Sequence, residues 1–191
     1  MARWDPGTEQ RLRKAALELY RQHGYDAVTV TQIAERAGIT RRSYFRYFPD
    51  KREVLFANSD QLPPAIAKAV LVAADHTPPL TAVLDALTEV GNLLAVDVEQ
   101  LAERRDVIAS SPELQERERT KAATVSVAIQ QALEQRGTAT GTSKAIAQVA
   151  TIAFANAFQL WIEAKANKPF RDCLTTATTE LRTALADPSP A

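Results

Sequence analysis

The 191-residue chain is predicted to be all-α, with about nine helices. Three observations carry that expectation. Apolar residues recur at the three- and four-residue spacing of a helix face rather than in the alternation of a strand. Long stretches are rich in Ala, Leu, Glu, Gln and Arg, the better helix formers. There are only six glycines, and most of the ten prolines fall between these stretches, where they punctuate rather than interrupt.

From Thr8 to about His23, Leu12, Ala15, Ala16, Leu19 and Tyr20 form one apolar face, and Arg11, Arg13, Lys14, Glu18 and Arg21 point away from it. Gly24 supplies the stop. Thr29 is placed to cap a short second helix to Ala37, with Ile33, Ala34 and Ala37 on one side, and Gly38 ends it. Thr40 is placed to cap a third, from Arg41 to about Tyr47, closed by Phe48 and Pro49. A longer helix followed by two short ones across a tight glycine turn is the helix-turn-helix arrangement.

Asp50, with Glu53 three residues on, predicts a capping box that opens a fourth helix through Val54, Leu55, Phe56 and Leu62. Pro63 and Pro64 predict a break or kink, because proline inside a helix costs about 3 kcal/mol. Helix then resumes to about Ala74. His76 to Pro79 form a linker before a helical pattern from Leu80 to about Ser110, with a bend expected near Gly91 and Asn92. Ser111 before Pro112 signals the start of a helix reaching Arg136. A loop from Gly137 to Thr142 leads into a long helix to about Asn167. The last helix runs from Phe170 to about Ala186, and the tail from Asp187 to Ala191 is expected to lack order. The domain boundary is placed after residue 52, separating a DNA-binding domain, 1–52, from a larger helical domain, 53–191.

Net charge is zero, with 23 Lys+Arg against 23 Asp+Glu, but the charge is unevenly distributed. Residues 1–52 hold 11 basic and 6 acidic side chains, a net +5, and residues 53–191 hold 12 and 17, a net −5. Overall neutrality excludes a nonspecific coat protein, and the asymmetry points to nucleic acid. The one cysteine, Cys173, cannot form an intrachain disulfide, and the first residues lack the apolar core of a signal peptide, so a reducing cytoplasm is expected. Ala145 to Ile162 carry no formal charge, yet Gln148, Thr151, Asn156 and Gln159 interrupt them. A buried interface helix is expected there, not a membrane span. With only His23 and His76, no metal-ligand spacing, no phosphate-binding loop and no dinucleotide fingerprint, neither an enzyme nor a metal or cofactor is expected.

The segment from Thr29 to Lys51 carries the chemistry. Arg41, Arg42 and Ser43 sit in the first turn of the third helix, where a helix entering the major groove presents side chains to base edges. Arginine can bind guanine O6 and N7 with two hydrogen bonds. Thr29 and Thr40 join a hydroxyl to free backbone N–H groups, a combination suited to phosphate. Tyr47 and Lys51 are placed to grip the backbone beyond, and Phe45 and Phe48 are expected to bury inward.

The run Thr29-Val30-Thr31-Gln32-Ile33-Ala34-Glu35-Arg36-Ala37-Gly38-Ile39-Thr40-Arg41-Arg42-Ser43-Tyr44-Phe45-Arg46-Tyr47-Phe48-Pro49-Asp50-Lys51 resembles the TetR family of bacterial one-component regulators. The flanking Ala15-Ala16, His23-Gly24-Tyr25 and Val54-Leu55-Phe56 fit it too. The resemblance implies a three-helix DNA-binding domain, a larger ligand-binding and dimerisation domain, and a homodimer that leaves its double-stranded operator when a small molecule binds. By position, it implies phosphate contacts at Thr29, Thr40, Tyr47 and Lys51 and base contacts at Arg41, Arg42 and Ser43. Many members have tyrosine where this chain has Phe45 and histidine where it has Tyr47. Phe45 is therefore left an apolar contact, and Arg46 or Tyr44 is expected to share the backbone-holding role.

Farther along, Ala150, Ala153 and Ala157 line one face of the long helix after residue 142, and Phe154, Phe158 and Trp161 line an adjacent one. The last helix offers Phe170, Leu174, Ala177, Leu181 and Leu185 on one stripe. Small residues allow close approach and aromatics bury large area, so these stripes are expected to form a four-helix dimer interface. Thr88, Asn92 and Gln159 are polar residues in apolar helical stretches and are the candidate ligand anchors. Arg104 to Leu114 is similar to a C-terminal domain of actinobacterial type, which implies an acyl or acyl-CoA-like effector. The competing function is a helical regulator or protein-binding module without a small-molecule effector.

Overall fold

A computed structural model describes residues 7–57, 59–95 and 97–186. The expectations for the tail 187–191 and for the Leu185 side chain lie outside the described residues. Within them the chain forms nine α-helices and no strand: α1 Gly7–His23, α2 Val30–Arg36, α3 Arg41–Tyr44, α4 Leu62–Val72, α5 Pro79–Leu94, α6 Val98–Ala109, α7 Pro112–Gln135, α8 Thr140–Glu163 and α9 Phe170–Ala186. They belong to two compact units, one of residues 1–58 and 100–119, the other of residues 59–99 and 120–191.

In the first unit, Leu12, Ala15, Ala16, Leu19 and Tyr20 of α1 meet Ile33 and Ala34 of α2 in one apolar core. Gly38 makes the tight turn between α2 and α3. Its φ of +74° lies in the left-handed region that only glycine enters without strain, and Ile39 N–H then donates back to the Ala34 carbonyl at 2.9 Å. Val107 and Ile108 of α6 and Leu114 of α7 complete this core. The α6–α7 corner therefore belongs to the helix-turn-helix unit.

Charged side chains secure the same corner. Arg104 Nε donates to the Leu55 carbonyl at 2.7 Å, with its guanidinium 5.1 Å from the centre of the Phe56 ring. Burial pushes its pKa down, against the opposing field of Glu118. Arg117 Nε meets Glu53 Oε1 at 2.5 Å, and Tyr25 donates its hydroxyl to Glu113 at 3.1 Å.

Three expected elements differ. The region from Asp50 to Leu62 is two 3₁₀ turns, Glu53–Phe56 and Ser59–Gln61, not one helix. Asp50 stands ahead of the first turn, its Oδ1 accepting from Arg52 N–H at 2.8 Å and Glu53 N–H at 3.1 Å, while the turn's N-cap is Arg52 and makes no side-chain capping bond. Pro63 and Pro64 begin α4 instead of breaking a helix, because the first turn needs no intrahelical N–H. The stretch from Leu80 to Ser110 is two helices, α5 and α6. Ala95, at ψ 59°, leaves the helical region, and no break occurs at Gly91.

In the second unit, α5, α8 and α9 pack together. Ala147, Ala150, Ala153 and Ala157 are all buried along α8, and Cys173, Leu174 and Ala177 along α9. Burial raises the Cys173 thiol pKa. Phe170 is held in a ring cluster, 5.6 Å from Phe154 and 4.6 Å from Phe158 between centroids. Gly91 of α5 is required there, since a Cβ would fall 2.0 Å from the Phe170 ring. At the end of α4, Arg136 donates to the carbonyls of Val70, Ala73 and Ala74 at 3.2, 2.5 and 2.9 Å. A cation there satisfies orphan acceptors and opposes the negative helix end.

Candidate nucleic-acid interface

The two short helices begin on threonine caps, as expected. Thr29 accepts from Gln32 N–H at 3.3 Å, and Gln32 Oε1 accepts from Thr29 N–H at 2.8 Å, a complete capping box. Thr40 accepts from Ser43 N–H at 3.1 Å, and its hydroxyl lies 3.0 Å from that of Ser43. Both threonines are exposed. The caps stabilise helices too short to persist alone and leave the threonines at the surface.

Arg41, Arg42 and Arg46 are exposed, and none of their guanidinium groups makes an ion pair or hydrogen bond among the described residues. Three other arginines of the unit are engaged: Arg21 with Glu103, Arg36 with Glu18, and Arg52 with both Asp50 and Glu113. A local excess of unpaired guanidinium groups thus lies along α3 and the turn after it. Such groups suit phosphate and guanine edges.

Two expected contacts move. Tyr44 has no exposed surface, and its hydroxyl donates to the Asp50 carbonyl at 2.9 Å. Burial, then the fields of Asp50 and Glu53, push its phenol up. It is a core residue of the turn, so it cannot hold a phosphate. Phe45 takes the outward place, 46% exposed, with the Arg41 guanidinium 5.5 Å from its ring centre. Phe48 alone of the expected pair buries. A one-residue shift of phase, about 100°, separates Tyr44 from Phe45, and α3 is too short for its periodicity to fix the phase.

Lys51 is the other correction. Its Nζ donates to the carbonyls of Tyr25, Asp26 and Val28 at 2.9, 3.3 and 3.1 Å and lies 4.2 Å from the Tyr25 ring centre. All three ammonium donors are engaged, which makes Lys51 a staple for the turn between α1 and α2 rather than a free phosphate ligand. Tyr20 secures the same point by donating to the Lys51 carbonyl at 2.6 Å. Tyr47 is half-buried against the core, and Ser43 is half-buried beside Thr40.

The expected dimer residues also divide. Ala150, Ala153, Ala157, Trp161, Leu174 and Ala177 are buried within the chain and are not available to a partner. Phe154, Phe158 and Leu181 are half-buried. The outward face of α8 instead carries Gln148, Ile152, Ala155, Asn156 and Gln159, with Ile152 51% exposed. On α9, exposed Thr175, Thr176 and Thr179 donate their hydroxyls to the carbonyls four residues back, each at 2.9 Å. Satisfied within their own helix, they offer mainly methyl groups outward. Threonine reads as polar in the sequence, and the four-residue spacing is the signal that these side chains turn methyl groups outward.

One cavity of about 510 Å³ lies in the second unit, lined by Asn92, Trp161, Asn167, Lys168 and Phe170 among others. Of the three candidate anchors only Asn92 reaches it. Thr88 is buried and donates to the Leu84 carbonyl at 2.8 Å, and Gln159 is exposed and bonded to Glu163. The backbone at Lys165 and Ala166, with φ of 49° and 58°, ends α8 and turns the chain around the cavity mouth. α8 is also the helix long and apolar enough to cross a membrane among the described residues, yet only 28% of its most apolar stretch is buried in the chain.

The family pattern described as "Bacterial regulatory proteins, tetR family" matches residues 12–57, and that of the "MftR C-terminal domain" matches residues 77–186. The HTH-type transcriptional regulator TcmR of Streptomyces glaucescens is 35% identical over 83 residues, 44% of this chain and 37% of that relative. The match thus spans little more than a third of that relative's length. Among solved structures, a SmeT–triclosan complex superposes with a TM-score of 0.63 at 16% identity, over 97% of this chain and all of the other. SmeT is the repressor of the Stenotrophomonas maltophilia multidrug efflux pump SmeDEF. Thermus thermophilus FadR with lauroyl-CoA superposes with a TM-score of 0.54 at 19% identity, over 96% and 99% of the two chains. At these identities the structures speak for the fold.

Proposed function

Because this chain belongs to the TetR family of DNA-binding transcriptional regulators, we propose that it is a homodimeric repressor, released from a palindromic operator by a small-molecule effector. The observation that carries the reading is the unpaired Arg41–Arg42–Arg46 set along α3 and the turn after it, whose inner positions are filled by Tyr44 and Phe48. Arg41 and Arg42 read guanine edges, while Arg46, Thr29, Thr40 and Tyr47 hold phosphates, with Ser43 beside them. Residues 1–52 supply the DNA-contacting helices, braced by 53–58 and 100–119 of the same unit, and ligand binding and dimerisation fall to the unit of residues 59–99 and 120–191. Its place is the cytoplasm, with the DNA.

The apolar length of α8, largely uncovered within one chain, supports a second copy as its cover. Ile152 and Ala155 of α8 and the threonine face of α9 form the shared surface. A two-fold dimer matches an operator built as an inverted repeat. The effector enters the cavity beside Asn92, whose volume of about 510 Å³ falls in the usual range for small-molecule sites. An apolar or acyl-like compound suits Trp161 and Phe170, so triclosan and lauroyl-CoA, each bound by a structural neighbour, are the first to try. Release requires that the effector bind the DNA-free state more tightly.

The test is anisotropy of a duplex selected by the full chain from a random pool, titrated with salt. A dimer that neutralises several phosphates gives a steep negative slope of log affinity against log salt. Arg41→Ala weakens binding by about 10- to 100-fold per half-site. A flat salt response in both proteins overturns the reading.

A further inference from the structure

Phe45 is the exposed apolar side chain on an otherwise cationic surface. The residue is 46% exposed, its ring edge-on to buried Tyr44 at 5.6 Å and with the Arg41 guanidinium 5.5 Å over its centre. Arg42 and Arg46, both exposed and unpaired, flank it in sequence. Without a hydroxyl it cannot hydrogen-bond a phosphate, and a half-exposed phenyl ring among charges gains only when something apolar covers it. The charge around it selects an anionic partner. In the major groove of DNA the apolar group on the base edges is the thymine 5-methyl.

We propose that Phe45 reads sequence, packing its ring against the 5-methyl group of a thymine in each operator half-site. Arg41, whose guanidinium lies over the same ring, is thereby held beside that base and directed to a neighbouring guanine. The inference rests on the proposed DNA-binding role and adds to it an apolar contact that specifies one base pair. A ring lying on the sugar-phosphate backbone instead would be indifferent to base identity.

The experiment uses the full chain and its selected duplex, with each thymine replaced in turn by deoxyuridine, which removes the methyl group alone. Wild type is expected to lose about fourfold in affinity at one position per half-site, the value of one buried methyl, and about fifteenfold when both are replaced. Phe45→Ala is expected to bind the thymine and deoxyuridine duplexes equally, while Phe45→Leu keeps part of the discrimination. Equal binding of both duplexes by wild type, or discrimination that survives in Phe45→Ala, overturns the proposal and leaves the DNA-binding reading standing. Failure of wild type to select any duplex would defeat both together.

Discussion

The recognition segment around α3 and the α8–α9 pair answer sequence patterns in opposite ways. Around α3 the prominent residues, Arg41, Arg42 and Arg46, stay on the surface. Along α8 the prominent stripe of Ala150, Ala153 and Ala157 turns inward against its own chain, and the less regular face with Ile152 is left outside. The difference has a physical root. Burying an unpaired guanidinium is too costly for a fold to tolerate, so an arginine cluster without carboxylates announces a surface. Apolar burial is non-directional, and the same stripe serves a monomer core or a dimer seam equally well.

The sharpest challenge to this contrast is Ile152→Arg. If the outward face of α8 is the seam, two arginines meet near the two-fold axis, and dimer affinity falls by about two orders of magnitude or more. Sedimentation equilibrium is expected to find a folded monomer of unchanged helix content. A persisting dimer would return the seam to another surface.

Gly91→Ala probes the inward side. A methyl placed 2.0 Å from the ring of Phe170, which is 2% exposed, must displace that ring. The expected loss is about 1–3 kcal/mol of unfolding free energy in urea, partly recovered in a Phe170→Leu background.

Lys51→Met separates a cation that holds the fold from cations that meet DNA. Three carbonyls lose their partner at a half-exposed site, and stability falls by about 1 kcal/mol. The salt slope of duplex binding is expected to stay unchanged. Arg46→Ala behaves in reverse, leaving the melting temperature alone and lowering the slope by about one.

Asp50 gives the smallest signal. Burial pushes its carboxyl up, but the Arg52 side chain and the backbone N–H groups of Glu53 and Arg52 together hold it below its ordinary value of 3.8. Folded Asp50 therefore holds its proton less tightly than the unfolded chain does. Its stabilising contribution is complete above pH 3.8 and is lost as pH falls through the folded value. Asp50→Ala is expected to cost about 0.5–1 kcal/mol at neutral pH, and the difference from wild type, followed by circular dichroism, shrinks in acid.

The helix starts were legible because their signals are local. Thr29, Thr40, Pro112 and Phe170 all stand where helices begin, and capping depends on residues within one turn. Pro63 and Pro64 were misread because proline marks both a break and a first turn, and the choice depends on whether helix precedes it. Here 3₁₀ turns precede it. Tyr44 and Phe45 were exchanged because two neighbouring aromatics in a four-residue helix leave the apolar phase undetermined.

Residue order alone established an all-helical chain, a basic first quarter and an arginine-bearing short helix after a glycine turn, since each follows from spacing, propensity and charge within a few residues. Folding in three dimensions decided which cations remain free: Lys51 is drawn to three carbonyls 23–26 residues away, and Arg104 to Leu55 across 49 residues. It also decided which apolar face of α8 is already covered. These outcomes depend on partners distant along the chain, and local periodicity carries no information about which of two apolar surfaces a distant helix will reach first.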